Sequence, residues 1–346
     1  SGVQIARAAA TAAECGVQNL TLIHGDFREV PERLGPFDYI LCHGVYAWVT
    51  PDTQRALLEF MRARLAPNGV AFVSYNAYPG QHTVDMVRKV LKVHTEGAPD
   101  LVAKSKQAVA VMEFLTEMSR TVDGMWHTGF LEIETRALER GGLDLLEHDY
   151  CAIASNPRYF VDFVADCEAA GLAYLADSEP FGMYLDNQRP EVIEALTPLD
   201  LVRRGQYLDF LHHTRYRETL VCRADAPLTR DVDNRRVMDL HIGQALSSEP
   251  TLDGIETSLP VPIVVGKRPA FMESSPIIRV ALRRLWFCGR HAPHFDQLAT
   301  WVVEDLERLG GLDADPPRVR ERLAAQLLRA FFAGAVRLGL RQVDVP

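Results

Sequence analysis

Between His43 and Trp48 the chain gathers an imidazole, a glycine, a phenol and an indole in one short stretch, His43-Gly44-Val45-Tyr46-Ala47-Trp48. The apolar run Tyr39-Ile40-Leu41-Cys42 leads into it, and Thr50-Pro51-Asp52 follows. A nearly continuous apolar run of that length is the pattern of a strand covered on both faces inside a parallel sheet. In open α/β sheets, ligands bind beyond the carboxyl ends of the strands. A turn there that carries His43, Gly44, Tyr46 and Trp48 is therefore a candidate wall of a reaction pocket. An aromatic-rich loop packed under a helix has the same composition, and this stretch alone leaves both readings open.

The elements that must position the stretch lie on either side of it. An alanine-rich helix is expected up to about Cys15, with Gly16 as its stop. Leu20-Thr21-Leu22-Ile23 is a second apolar run, ending in His24-Gly25-Asp26-Phe27. Downstream, Thr50 is the expected cap of a helix with Pro51 at its first position. Leu57, Leu58, Met61 and Leu65 recur there at helical spacing and should face a sheet. A turn over Leu65-Ala66-Pro67-Asn68-Gly69 then precedes the run Val70 to Asn76. Three strands separated by helical pattern make successive crossover units. The loop Asn76 to Gly80 would leave on the same rim as His43-Gly44, so Tyr75, Tyr78 and His82 are candidates for a substrate channel. Tyr75 equally fits a sideways packing with its hydroxyl paired.

Three motifs at the ends of these strands, H-G-D-F, F-D-Y-I-L-C-H-G-V and L-A-P-N-G-V-A-F-V-S-Y-N, resemble the class I S-adenosylmethionine-dependent methyltransferases. More closely, HGVYAWV and VSYNAYPGQH look like the bacterial protein lysine methyltransferase-like family, which carries an inserted methyltransferase regulatory domain and a separate C-terminal domain. The resemblance implies a Rossmann-like methyltransferase sheet, S-adenosyl-L-methionine as cofactor and protein lysine as methyl acceptor. It also implies that Asp26 accepts a hydrogen bond from the adenine amino group and that Phe27 lies against the adenine ring. Cys42, His43 and Gly44 complete the expected cofactor side. A cap on the following turn is the competing role for Asp26. Tyr46, Trp48 and Tyr78 are the expected lining for the acceptor, where a dry aromatic wall favours the neutral amine and then holds the product cation. The family's first strand, glycine-rich turn and ribose-gripping acid are not found in this sequence. The expectation is thus a sheet truncated at the N-terminus, in a chain that as given binds cofactor poorly and is inactive.

The remaining residues divide by pattern. From Thr83 to about His148 the periodicity is helical, through Val87, Leu91, Val109, Met112, Leu115 and Met118. His127 and His148 lie in this stretch and fit structural positions better than general bases. Tyr150 and Asn156-Pro157-Arg158-Tyr159-Phe160 match the family pattern at the return to the sheet. Leu172 to Ala176 and Arg217 to Cys222 are the expected sixth and seventh strands, with helix from Pro190 to Leu211 between them. Residues 1–82 and 171–223 are therefore read as the methyltransferase core, 83–170 as a helical regulatory insertion, and 224–346 as a winged-helix-like α+β domain. Within the last, Val237 to Ala245, Pro262 to Val265 and Leu338 to Val343 are strand-like. Helices are expected from Ser275-Pro276, from His294, and from Val319 to Gly334.

Composition narrows the function. Residues 1–223 carry 21 Lys and Arg against 30 Asp and Glu, whereas 224–346 carry 16 of each. An acidic first part and a balanced second part argue against binding a phosphate backbone, which needs clustered cations. No apolar run reaches a membrane-spanning length and no leader pattern opens the chain, so a cytoplasmic protein with no membrane partner is expected. The six cysteines form no CxxC pair, so neither a metal site nor a disulfide framework is indicated. The reading that results is a methyltransferase acting on protein lysine. The alternatives are a small-molecule methyltransferase and a non-catalytic scaffold that keeps the fold.

Overall fold

The computed structural model describes all residues except 32, 124–125, 153, 231, 256–258, 267, 311–314 and 343–346. Alanine content sets the first helix, α1 (Gly2–Glu14), which stops where Gly16 takes φ +67°, a conformation that costs glycine little. The apolar run before His43 forms β1 (Phe37–Cys42). Thr50 caps α2 (Pro51–Arg64) through its hydroxyl, and the predicted stripe of Leu57, Leu58 and Met61 is buried. Burial of each such side chain contributes about 1.5–3 kcal/mol. The chain returns as β2 (Leu65–Asn76), parallel to β1, with Tyr39 opposite Val70 and Cys42 opposite Val73. The turn expected at 66–69 survives as a register break, because Phe37 pairs with Leu65 and the next partner pair is Tyr39 with Val70.

Four helices follow: α3 (Gln81–His94), α4 (Leu101–Arg120), α5 (Thr128–Leu145) and, beyond a π-turn at Leu146–Tyr150, α6 (Phe160–Ala169). Val87, Leu91, Met112, Leu131, Leu138 and Leu146 form the shared core of α3 to α5 and the π-turn. Then come β3 (Leu172–Asp177), α7 (Pro190–Leu196), α8 (Leu201–His212) and β4 (Tyr216–Arg223). The sheet order is β1-β2-β4-β3, with β4 antiparallel to β2 and Asn76 opposite Tyr216. The last part of the chain forms β5 (His241–Gln244), the antiparallel hairpin β6 (Val261–Val265) and β7 (Arg268–Glu273), then α9 (Pro276–Cys288), α10 (Phe295–Arg308), α11 (Pro316–Phe332) and β8 (Val336–Gly339). β8 pairs antiparallel with β5.

Several expectations are corrected. Leu20 to Ile23 is not a strand: it has no pairing partner among the described residues, and Leu20 and Ile23 stand about half exposed at 51% and 49%. A strand exists only where a neighbour completes its ladder. β1 is not covered on both faces either, since Tyr39 and Leu41 are 74% and 76% exposed and α1 buries none of its residues. The helix from Pro190 to Leu211 is two helices, because Pro198 cannot continue α7 and Asp200 caps α8 by accepting from the Arg203 N–H. Val237 belongs to a 3₁₀ turn, Asn234–Asp239, ahead of β5. The terminal strand ends at Gly339, and Val343 lies outside the described residues.

The chain forms two compact units, one of residues 1–175 and 205–227, the other of 176–204 and 228–346. The helical segment 83–170 belongs wholly to the first. Residues 176–204, within the stretch assigned by sequence to the methyltransferase core, pack in the second. Among the described residues no helix is long and apolar enough to cross a membrane.

Candidate functional site

All residues of the site belong to the first unit. At the end of β1, Gly44 turns the chain at φ +66° with open space where a Cβ would stand. Its N–H donates to Ser74 Oγ at 2.9 Å, and Ser74 Oγ lies 3.1 Å from His43 Nδ1. With one hydrogen and two lone pairs, the serine hydroxyl can accept from Gly44 and still either donate to Nδ1 or accept from it. Tyr216 of β4 brings its hydroxyl to 3.4 Å from the same Nδ1. His43 and Gly44 themselves are exposed, while Ser74 is fully buried. Cys42, one residue earlier, is buried, and burial pushes its thiol up to about 11.

The next residues form a 3₁₀ turn, Tyr46–Trp48, and a single segment fastens it. Gln54 of α2 donates to the carbonyls of Tyr46 at 2.8 Å and Asn156 at 2.9 Å. Asn156 in turn donates from its backbone to Ala47 at 2.7 Å and from Nδ2 to Val49 at 2.8 Å. Two residues on, Arg158 N–H donates to Asn76 and the Arg158 carbonyl accepts from Tyr78 N–H at 3.1 Å. The segment Asn156–Arg158 thus stitches the loop after β1 to the loop after β2. Gly80 closes the second loop, where a Cβ would come within 2.4 Å of the His213 carbonyl, so only glycine fits.

This places the predicted acceptor residues unequally. Tyr46 is fully buried, its ring 5.3 Å from Phe163 and 6.0 Å from Tyr75. Burial first, and then the charge of Asp166, raise its phenol far above the ordinary value. Trp48 is half-buried with the Arg88 guanidinium 5.6 Å above its ring. Arg88 also donates to the carbonyls of Asp149 and Ala152, tying α3 to the π-turn. Tyr78 stacks on His82 at 4.0 Å, and Tyr159 joins them, its ring 5.2 Å from Tyr78 and its hydroxyl 2.9 Å from His82 Nε2. The Tyr78 hydroxyl donates to Asp85 at 3.2 Å; burial, then the Asp85 charge, push it up to about 12. Trp48 and Tyr78 therefore meet on α3, through Arg88 and Asp85, and Tyr46 lies behind them in the core.

On the expected cofactor side, Asp26 caps the 3₁₀ turn Phe27–Glu29 and holds Arg28 by both oxygens, at 2.9 and 2.6 Å. Those bonds to Arg28 depress its carboxyl to about 2. Phe27 packs edge-on against Phe60 of α2 at 5.9 Å. Neither histidine of the helical segment joins the site: His127 stands at the N-cap position of α5 without a side-chain capping bond, and His148 is exposed on the π-turn.

Ser74 and Asp85 were not legible as site residues. Ser74 sits inside VSYN, where alternation predicts only strand, and Asp85 reads as one more polar residue of a helix. Tyr159 carried a signal, its place in Asn156-Pro157-Arg158-Tyr159-Phe160.

The fold is of the Rossmann-like methyltransferase kind. Residues 1–69 match the methyltransferase domain family, and residues 143–223 match the predicted methyltransferase regulatory domain. The chain thus joins part of a methyltransferase domain to its regulatory domain. Among curated proteins it is 30% identical over 246 residues to the uncharacterized protein RP789 of Rickettsia prowazekii, covering 70% of this chain and 44% of that one. It is 29% identical over 164 residues to RP028 of the same organism, covering 47% and 65%. Among solved structures, PKMT2 from Rickettsia typhi shares the fold with a TM-score of 0.81 at 23% identity, over 99% of this chain and 65% of PKMT2. PKMT2 in complex with AdoHcy gives 0.82 at 24% identity, over 99% and 66%. The chain spans less than half of RP789 and just under two thirds of PKMT2.

Proposed function

We propose that the chain is the acceptor-facing part of an S-adenosylmethionine-dependent methyltransferase that modifies lysine side chains of proteins. The observation that carries this is the stitching of two rim loops to Asn156–Arg158, which brings Trp48 onto Arg88 and gathers Tyr78, His82 and Tyr159 into one aromatic cluster, with Asp85 bound to Tyr78. The likeness to PKMT2, described with AdoHcy, supports the cofactor. The residues present fit the adenosine end of such a group: Gly44 offers bare backbone with open space, and Asp26 offers an exposed carboxylate. When bound, S-adenosylmethionine supplies an electrophilic methyl group.

The chain's own residues supply the positioning. Half-buried Asp85, which also faces the Arg88 guanidinium at 3.9 Å, meets an incoming ammonium by charge, whereas the Tyr78 ring withdraws water and so pulls in the opposite direction, towards the neutral amine. The π faces of Tyr78 and Tyr159 then accept the methylated cation. Holding the amine in one orientation is the main source of rate in such a displacement. The C-terminal domain expected over 224–346, with α9 to α11 and the β5–β8 pair, is read as a winged-helix-like module with a protein-contact role.

The test is incubation of the natural full-length protein with methyl-labelled cofactor and a protein extract, followed by peptide mass spectrometry. Label on lysine Nζ is the expected result. Label confined to small molecules would reassign the acceptor, and bound cofactor without any transfer would make the protein a scaffold.

A further inference from the structure

We propose that the second unit carries a docking groove for an extended, carboxylate-rich segment of a partner polypeptide, independent of the methyl-transfer site. The groove lies on the β5–β8 ribbon beside the turn that follows α9, and encloses about 510 Å³. Arg290, Arg337 and Arg341 line it, all three exposed. Among the described residues none of them has a carboxylate partner, and no Asp or Glu lines the groove. Several other arginines of this unit are paired, among them Arg283 with Glu249, Arg284 with Asp305 and Arg320 with Asp296. Residues 224–346 are balanced at 16 cations and 16 acids. The unpaired cluster is therefore a local segregation of charge, not one sample of a basic surface. Guanidinium groups match oxyanions, carboxylates and phosphates alike, by paired, charge-assisted hydrogen bonds, and the rest of the lining favours the carboxylates of a polypeptide.

Three features favour a polypeptide over a nucleic acid. The floor includes the apolar side chains of Ala292 and Leu338, which suit alternate side chains of an extended strand. Gly243 leaves the floor bare, although a Cβ there would meet only the Ala292 and Arg337 Cβ atoms at 3.8 Å, an ordinary van der Waals distance. The fold's own packing does not require that glycine, whereas close approach of a second backbone does. His241 is the one ring that lines the groove, so successive bases would find no continuous stacking platform. Leu340, 85% exposed between Gly339 and Arg341, provides an apolar surface at the end of the ribbon.

The full chain is titrated into a short dye-labelled peptide alternating glutamate and valine, with fluorescence anisotropy as readout. Controls are the lysine–valine counterpart and a single-stranded oligonucleotide of similar length. The glutamate peptide should bind, and more weakly as salt rises. Arg337→Glu and Arg290→Glu should each weaken it about tenfold or more by placing like charge against it. Gly243→Val should weaken it comparably by filling the floor, with an unchanged melting temperature because a β-branched residue suits a strand. The proposal fails if the glutamate peptide does not bind, if the lysine peptide binds equally, if all three variants leave affinity unchanged, or if the oligonucleotide binds more tightly than the peptide.

Discussion

Ser74 holds the rim loop by one oxygen, which accepts from the Gly44 N–H and faces His43 Nδ1. Replacing it with alanine removes the acceptor of a part-buried hydrogen bond, and the expected cost is about 0.5–1.5 kcal/mol. Denaturant unfolding of Ser74→Ala measures this; an unchanged midpoint would mean that water replaces the hydroxyl. Asp26 permits a test of a different kind. Its carboxyl, held at about 2 by Arg28 instead of the ordinary 3.8, is a depressed group. The ion pair therefore supports the fold above about pH 4, and that support is lost as pH falls through 2. A carboxyl-selective NMR titration should show the low midpoint, and Arg28→Ala should return it towards 3.8; no change would clear Arg28 as the cause. These residues also mark what sequence can show. The strand-end position of His43-Gly44 was legible from an abrupt change of polarity. That Tyr46 turns inward and Trp48 outward was not, because both sit in one 3₁₀ turn whose side-chain directions depend on Phe163 and Arg88, distant in sequence.

Helices and strands show the same division between periodicity and partnership. The stripe of α2 and the strands β2 and β4 follow from local spacing, and the structure forms them within a few residues of the expected ends. Leu20 to Ile23 had an equally apolar run and formed no strand, because pairing requires a neighbour that spacing alone does not specify. Long-range partners also decide how α8 is fixed to the sheet. Arg217 of β4 and Asp209 of α8 pair at 2.8 Å, with side chains only 7% and 4% exposed, and the guanidinium lies 3.7 Å from the centre of the Phe160 ring. Arg217→Met strands a buried carboxylate and should cost about 3–5 kcal/mol. Asp209→Leu combined with Arg217→Met removes both charges and should cost much less. Urea unfolding of the two variants decides between them: equal losses would show that Arg217 acts through packing on Phe160 and not through its charge.

The chain forms two compact units that part near residue 228, and the second also takes in 176–204 from upstream. That return could not be read from composition, since it depends on partners far apart in the chain. Tyr184 stacks on Phe332 at 4.7 Å and 13°, and Asn187 donates from Nδ2 to the Phe332 carbonyl at 3.1 Å. Phe181 and Pro180 line a cavity of about 830 Å³ together with Phe331 and Leu338. An aromatic pair of this geometry contributes about 0.5–1.5 kcal/mol beyond the area it buries. A fragment of residues 228–346 should therefore melt below the same residues supplied with a peptide of 176–204. The gain should shrink when the peptide carries Tyr184→Ala, which removes the stack but keeps the Asn187 bond. Calorimetry on the fragment, with and without each peptide, measures both effects. A fragment whose midpoint ignores both peptides would show that α9, α10 and α11 close their core unaided, and that 176–204 merely rests on it.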